Sequence, residues 1–274
     1  MRCARAGFFC AVGLAAGLLS ASVQAADDMT EAEAADVLLS PPRQSLPVGE
    51  RLEFHGRWFG IPIGRGWIEL KAPVDLNGRR AYPIEASGRT NEVFSALYPV
   101  QDTLRSYLDA ETLRPLQIEK SQREGNYRAE ELVTFDYTRH LATYHSLINE
   151  RSVKEIVIPD DVQDLLTVLY WVRRQPLHVD QPIVAPIYSD EKVYQTRVEP
   201  LKTLQLELRR RGTFPCVLIE PRAAFKGVFV RRGRVRVYFT ADERRIPLFI
   251  DIATPWGPVS GVIEAASLRA AASR

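Results

Sequence analysis

The chain has 274 residues, with 36 Lys and Arg against 34 Asp and Glu and a formal net charge of +2. A balance this close to neutral argues against nucleic acid as a partner. Cys3, Cys10 and Cys216 are the three cysteines, and the first two fall in a segment read below as cleaved, which excludes an internal disulfide and a Cys-type zinc site.

Residues 1–25 have the three parts of a secretory signal peptide. Arg2 and Arg5 form a short positive region, an uncharged stretch with Phe8, Phe9, Val12, Leu14, Leu18 and Leu19 follows, and Val23 and Ala25 occupy the small positions read by signal peptidase. The cut is expected after Ala25 and the location is the periplasm. A retained span needs about 20 predominantly apolar residues, and the last third of this run is Ser, Gln and Ala. No transmembrane segment is expected after cleavage.

Residues 26–46 read as an N-terminal leader, with a short helix from Thr30 to Leu39 capped by Thr30 and Glu33 and stopped at Pro41-Pro42. Residues 47–268 read as a single β-rich domain and 269–274 as a C-terminal tail. Within the domain, Leu52, Phe54 and Trp58 alternate with charged or small residues. Trp67 to Leu70 follows a Gly60 to Gly64 turn, and Asn77-Gly78 is a two-residue hairpin signal. Further strands are expected at Ala81–Gly88, Thr103–Leu108, Leu116–Gln122, Tyr127–Tyr137, His140–Ile148 and Val153–Ile158. The stretch from Pro159 to Arg174 breaks this pattern. Val162, Leu165, Leu166, Leu169 and Val172 make one apolar helical face, with acids at its start and arginines at its end.

Strands resume at Ile183–Ser189, Lys192–Glu199, Leu204–Arg210 and Cys216–Glu220. A hairpin from Gly227 to Phe239 then turns at Arg232-Gly233, and a last pair, Ile246–Ala253 and Val259–Leu268, flanks a turn with Trp256. The fold class is mainly β: a curved antiparallel sheet (barrel, half-barrel or sandwich) with one amphipathic helix, Asp160 to Arg174, as plug or lid. About fourteen strands are too many for a flat open sheet.

The order of several segments resembles a known family. These are Gly49 to Phe54, Trp58-Phe59-Gly60-Ile61-Pro62-Ile63-Gly64, Leu97 to Asp102, the helix Val162 to Arg173, Lys226-Gly227-Val228-Phe229, and Thr240 to Pro247. Together they are similar to the bacterial envelope proteins of the domain of unknown function family 3108, over Val48 to Leu268. The resemblance implies an exported β-rich domain and carries no catalytic residues.

No nucleophile elbow, His-Glu-x-x-His, phosphate loop or dinucleotide fingerprint occurs. His140 and His145, five apart in a strand, fall on opposite faces and make a poor metal pair. His55 reads as an ordinary strand histidine. Asp102, Asp164 and Asp242 each sit among apolar or turn residues. They read as a loop cap, a first-turn helix acid that needs a partner such as Arg89 or Arg105, and a turn residue. No cofactor and no metal site is expected, and the protein is read as no enzyme.

Trp58, Phe59, Tyr98, Tyr170 and Trp171 are the candidate ligand-binding residues, because aromatics can line an apolar cavity in a curved sheet. The expected function is a non-enzymatic binder or carrier of an apolar or amphipathic envelope molecule, with an envelope lipid or glycolipid, or another envelope protein, as partner. The alternatives are an assembly partner of another envelope protein and a carboxylate-dependent hydrolase of envelope polysaccharide. Arginine outnumbers lysine 30 to 6. Contact with anionic lipid or sugar phosphate is one reading of that bias, and compositional bias on solvated strand faces is the plainer one.

Overall fold

A computed structural model describes residues 29–31, 37–148, 152–223, 234–254 and 257–273. The expected signal peptide, residues 32–36 of the expected leader helix, the expected hairpin turn at Arg232-Gly233 with the strand expected before it, and Trp256 lie outside these residues. The described strands are β1 Met29–Glu31, β2 Arg51–Trp58, β3 Ile61–Leu70, β4 Val74–Leu76, β5 Arg79–Thr90, β6 Val100–Asp109, β7 Pro115–Glu124 and β8 Tyr127–Asp136. They continue as β9 Leu141–Ser146, β10 Val153–Val157, β11 Ile183–Ser189, β12 Lys192–Leu208, β13 Gly212–Ala223, β14 Arg234–Thr240, β15 Pro247–Thr254 and β16 Gly257–Ile263. Three short helices complete them: α1 Glu92–Leu97, α2 Thr167–Arg173 and α3 Ala265–Ala272.

All sixteen strands belong to one antiparallel sheet, ordered β1-β12-β13-β14-β15-β16-β2-β3-β5-β6-β7-β8-β9-β10, with β11 on β12 and β4 on β5. Asn77 and Gly78 take positive φ at the β4–β5 hairpin, as the sequence predicts. Among the described residues no helix is long and apolar enough to cross a membrane.

The sheet curls until its ends meet without closing. β10 approaches β12, yet no ladder joins them. The seam is bridged by side chains: Lys154 pairs with Glu191 in the β11–β12 turn, and Lys120 pairs with Glu131 at 2.5 Å and lies 4.0 Å from Asp190. Ile118, Val133, Phe135, Ala142 and Tyr144 from β7–β9 share a cluster with Ile158, Val162 and Tyr188. That cluster defines the inner face.

The helix lies on the inner face, but it is half the predicted length. Gln163 pairs with β11 through two backbone bonds, 2.8 Å to Pro186 and 2.7 Å from Tyr188. An extended strand partner and a helical turn exclude one another, so α2 starts only at Thr167. Leu165, assigned to the apolar face, is exposed on half its surface. Leu166 and Tyr170 join the large central cluster. Val172 joins a third cluster with Val217, Ile219 and Phe239, against which Val168, Leu169 and Trp171 are packed.

Other boundaries differ for similar reasons. Met29–Glu31 pairs with β12, so Thr30 and Glu31, expected to open the leader helix, are strand. The two strands expected over 192–210 are one strand, β12, with a bulge between Pro200 and Lys202. The end of the last predicted strand is α3, whose Leu268 and Ala271 enter the central core, so the domain extends past Leu268.

Candidate functional site

Cross-strand register places every side chain on one face or the other. The row Phe54, Gly66, Gly88, Asp102, Gln122, Ala129 runs along the inner face. The row Leu218, Tyr238, Phe249, Val262, His55, Arg65 runs along the outer face. α3 lies on the outer face, where the Ser267 hydroxyl accepts from the Glu53 amide at 3.0 Å.

The larger of two described cavities, about 440 Å³, opens between α3, the β12–β13 turn and the β14–β15 loop. Phe214, Ile246, Ala265, Leu268 and Ala272 form its apolar lining, with Arg210, Arg211, Arg244 and Arg269 around them. Asp242 is the acid in this lining and it is spoken for. Its carboxylate accepts from the Thr240 hydroxyl at 2.6 Å and from Arg244 at 2.5 and 2.9 Å. Burial pushes the Asp242 pKa up, but these bonds outweigh it and hold the carboxyl below its ordinary range. Arg244 also donates to the Ala272 carbonyl at 2.5 Å, tying the loop to the end of α3. Arg210 and Arg269 are exposed, and neither forms an ion pair among the described residues. The cleft therefore combines an apolar floor with surplus positive charge, and its volume falls in the small-ligand range. The signal for it in the sequence is the run Arg209-Arg210-Arg211 before a Gly turn, which was read as strand end.

The predicted aromatics divide between two places. Trp58 meets Phe59 edge to face at 5.3 Å in the β2–β3 turn. Tyr98 ends α1 over Gly125, where φ is +53° and any Cβ would come within 2.8 Å of the ring. The β2–β3, β5–β6 and β7–β8 connections meet at one rim, so these three residues share an end of the sheet. Tyr170 is buried in the core at the opposite end, beside a cavity of about 20 Å³, room for one water. Trp171 packs in the third cluster. The five do not form one pocket.

The flagged acids are also placed. Asp164 is buried and accepts from Ser106 Oγ and from the backbone amides of Leu166 (2.7 Å) and Thr167 (2.9 Å). Neither Arg89 nor Arg105 reaches it; Arg105 pairs with Glu85 at 2.6 Å and Glu119 at 3.1 Å. Asp102 lies within β6, not in a loop, and accepts from the Arg123 amide at 3.0 Å. Gln122 donates to Asp102 and to Glu124, at 3.5 and 3.3 Å. Burial, then the Asp102 carboxyl beside it, push the Glu124 pKa up to about 8, against an opposing pull from Lys120. His140 sits at positive φ before β9, 3.6 Å from Asp160. Among the described residues no group of three or more His, Cys, Asp or Glu is placed to hold a metal.

A sheet curled around an inner helix, with one open seam, is a β-barrel-like architecture. A solved structure of this class, from Brucella abortus and described as a beta-barrel-like protein of domain of unknown function DUF1849, is similar in fold. It matches with a TM-score of 0.52 at 7% identity, over 78% of this chain and 94% of that one. The chain belongs to the family described as protein of unknown function (DUF3108), whose model matches residues 53–264. No curated protein matches it.

Proposed function

We propose that the protein is an exported, non-enzymatic binder or carrier of an anionic amphipathic envelope molecule, a lipid or glycolipid, held in the cleft under α3. The carrying observation is the cleft's composition: an apolar floor beneath Arg210 and Arg269, which have no carboxylate partner among the described residues. Apolar burial supplies affinity for a chain, and arginine suits a carboxylate or phosphate head. The export reading rests on the signal-like residues 1–25. The inner face supports the ligand reading less, because α2 packs there as core.

The alternatives draw less support. Asp164, Asp242 and the Asp102–Glu124 pair are each committed to internal bonds, which leaves no acid of the flagged set free to act on a glycan. β10, the edge beside the seam, carries Lys154 and Glu155, and charge on an edge strand discourages strand addition.

Native mass spectrometry of the protein recovered from the envelope fraction tests the proposal, with the same sample denatured as reference. The expected result is an adduct lost on denaturation and absent in an Arg210→Glu/Arg269→Glu variant. A bare mass, still bare after incubation with envelope lipid extract, would sink it.

A further inference from the structure

The outer face carries a second charged feature, at the rim opposite the cleft. Arg65 of β3 is directly opposite Arg89 of β5, and Arg123 of β7 is directly opposite Arg128 of β8. Gln101 of β6 joins the two pairs into one continuous row. Like charges directly opposite on a sheet are destabilising, and this row contains two such pairs side by side. All four arginines are exposed, and none forms an ion pair with a carboxylate among the described residues. The acids of the adjoining row are engaged: Glu53 accepts from Arg51 at 2.8 Å and Glu130 from Ser121 at 2.7 Å, though Arg65 still helps to hold Glu53 ionised.

Just beyond this row the rim is apolar. Val93 and Leu97, four apart on α1, are 73% and 81% exposed, and Phe59 and Ile61 of the β2–β3 turn are 39% and 53% exposed. The two groups are held side by side. Asn91 donates through its side chain to the Pro62 carbonyl at 2.8 Å and through its amide to Ile63 at 2.9 Å, fixing α1 against the start of β3. Glu92 is the one acid on α1. Four strand steps separate Ile61 from Arg65, about 13 Å at strand rise. Interfacial apolar residues enter the headgroup/acyl boundary by ~5–10 Å, so a tip at that depth leaves the arginine row on the headgroup side of it.

We infer that this rim docks on an anionic phospholipid bilayer, with Arg65, Arg89, Arg123 and Arg128 on headgroup phosphates and the Val93–Leu97 face of α1 entering the interface. Phosphates between the arginines convert their mutual repulsion into attraction, and the apolar tip gains what water denies it. The inference does not rest on the cleft, which lies at the other end of the sheet.

The test is vesicle flotation of the protein as recovered from cells, on phosphatidylcholine with and without phosphatidylglycerol. Binding is expected only on the anionic vesicles. An Arg65→Gln/Arg89→Gln/Arg123→Gln variant should bind at least about tenfold more weakly. The same charge change at the opposite end, Arg80→Gln/Arg139→Gln/Arg209→Gln, should leave binding near that of the unaltered chain. A Val93→Ser/Leu97→Ser variant should still bind at low ionic strength and be released at ~0.15 M salt, where screening leaves the apolar contact to hold it. The melting temperature of the first variant should stay level or rise, since it relieves repulsion. Equal weakening by both triple variants, equal binding to neutral vesicles, or capture of soluble polyphosphate with none of vesicles would each overturn the inference.

Discussion

Glu124 ends β7 on the inner face, buried beside Asp102, with its pKa raised to about 8. In the unfolded chain a glutamate titrates near 4.3. Between those values the folded state holds a proton that the unfolded state has lost, so stability falls as pH rises from about 4.5 to about 8 and levels off above. Replacing the carboxyl with an amide removes that dependence while keeping a polar group beside Asp102. Glu124→Gln should therefore raise stability at pH 8 by ~1–3 kcal/mol, a rise of roughly 3–10 °C in melting temperature, and change little at pH 4. Scanning calorimetry at the two pH values checks this, and an equal shift at both would refute the raised Glu124 pKa. The pair was only half legible in the sequence. Asp102 stood out among apolar neighbours, but the predicted strand stopped at Gln122, two residues short of its partner.

At the scale of elements, alternation revealed most strands, because one face of each is buried and the other solvated. Periodicity failed where a segment's partner is distant in sequence. Nothing within Pro159 to Leu166 tells that Gln163 will pair with β11, and the apolar repeat read there as helix is a turn, one bridging residue and the turn that opens α2. α1 was missed because its six residues have no buried face. α2 is instead defined by its ends. Asp164 caps the first turn through the Leu166 and Thr167 amides while the Thr167 hydroxyl accepts from the Asp164 amide at 2.8 Å. Arg173 closes the last turn with two bonds to buried Glu50, at 2.5 and 2.8 Å. Asp164→Ala should cost ~1–3 kcal/mol by orphaning those amides and Ser106. Arg173→Ala should cost more, ~3–5 kcal/mol, because it leaves the Glu50 carboxyl without its partner in the core. Joint replacement by Glu50→Met/Arg173→Met should cost less than the Arg173 change alone. Denaturant melts of the set measure each, and equal losses for single and double variants would mean that the ion pair is not what anchors the helix.

For the molecule as a whole, the chain ends matter more than composition suggests. A curled sheet with one open seam has edges to protect and an outer face to cover, and both termini take part. β1 extends β12, and Glu31 accepts from Tyr238 at 2.6 Å and Lys202 at 2.5 Å across three strands. Ser40 and Arg43 donate through their amides to Ala241 and Glu243 at 3.0 and 2.9 Å. At the other end, a string of small residues reads as a tail, yet small residues are what let α3 lie close on the sheet. Ala271 is buried, and the Ala272 carbonyl receives Arg244, whose other contacts organise Asp242 and the β14–β15 loop. Ending the chain after Leu268 would strip the last turn of α3, release Arg244 and remove Arg269 and Ala272 from the cleft. The expected loss is ~1–3 kcal/mol, or roughly 3–10 °C in melting temperature, together with any adduct seen on the full chain. A dispensable tail predicts a truncated protein that melts and binds as the full chain does; circular dichroism melts and native mass spectra of the pair separate the two. A loss of the adduct with unchanged melting would place the cleft's arginine, not the helix packing, as the contribution of these last residues.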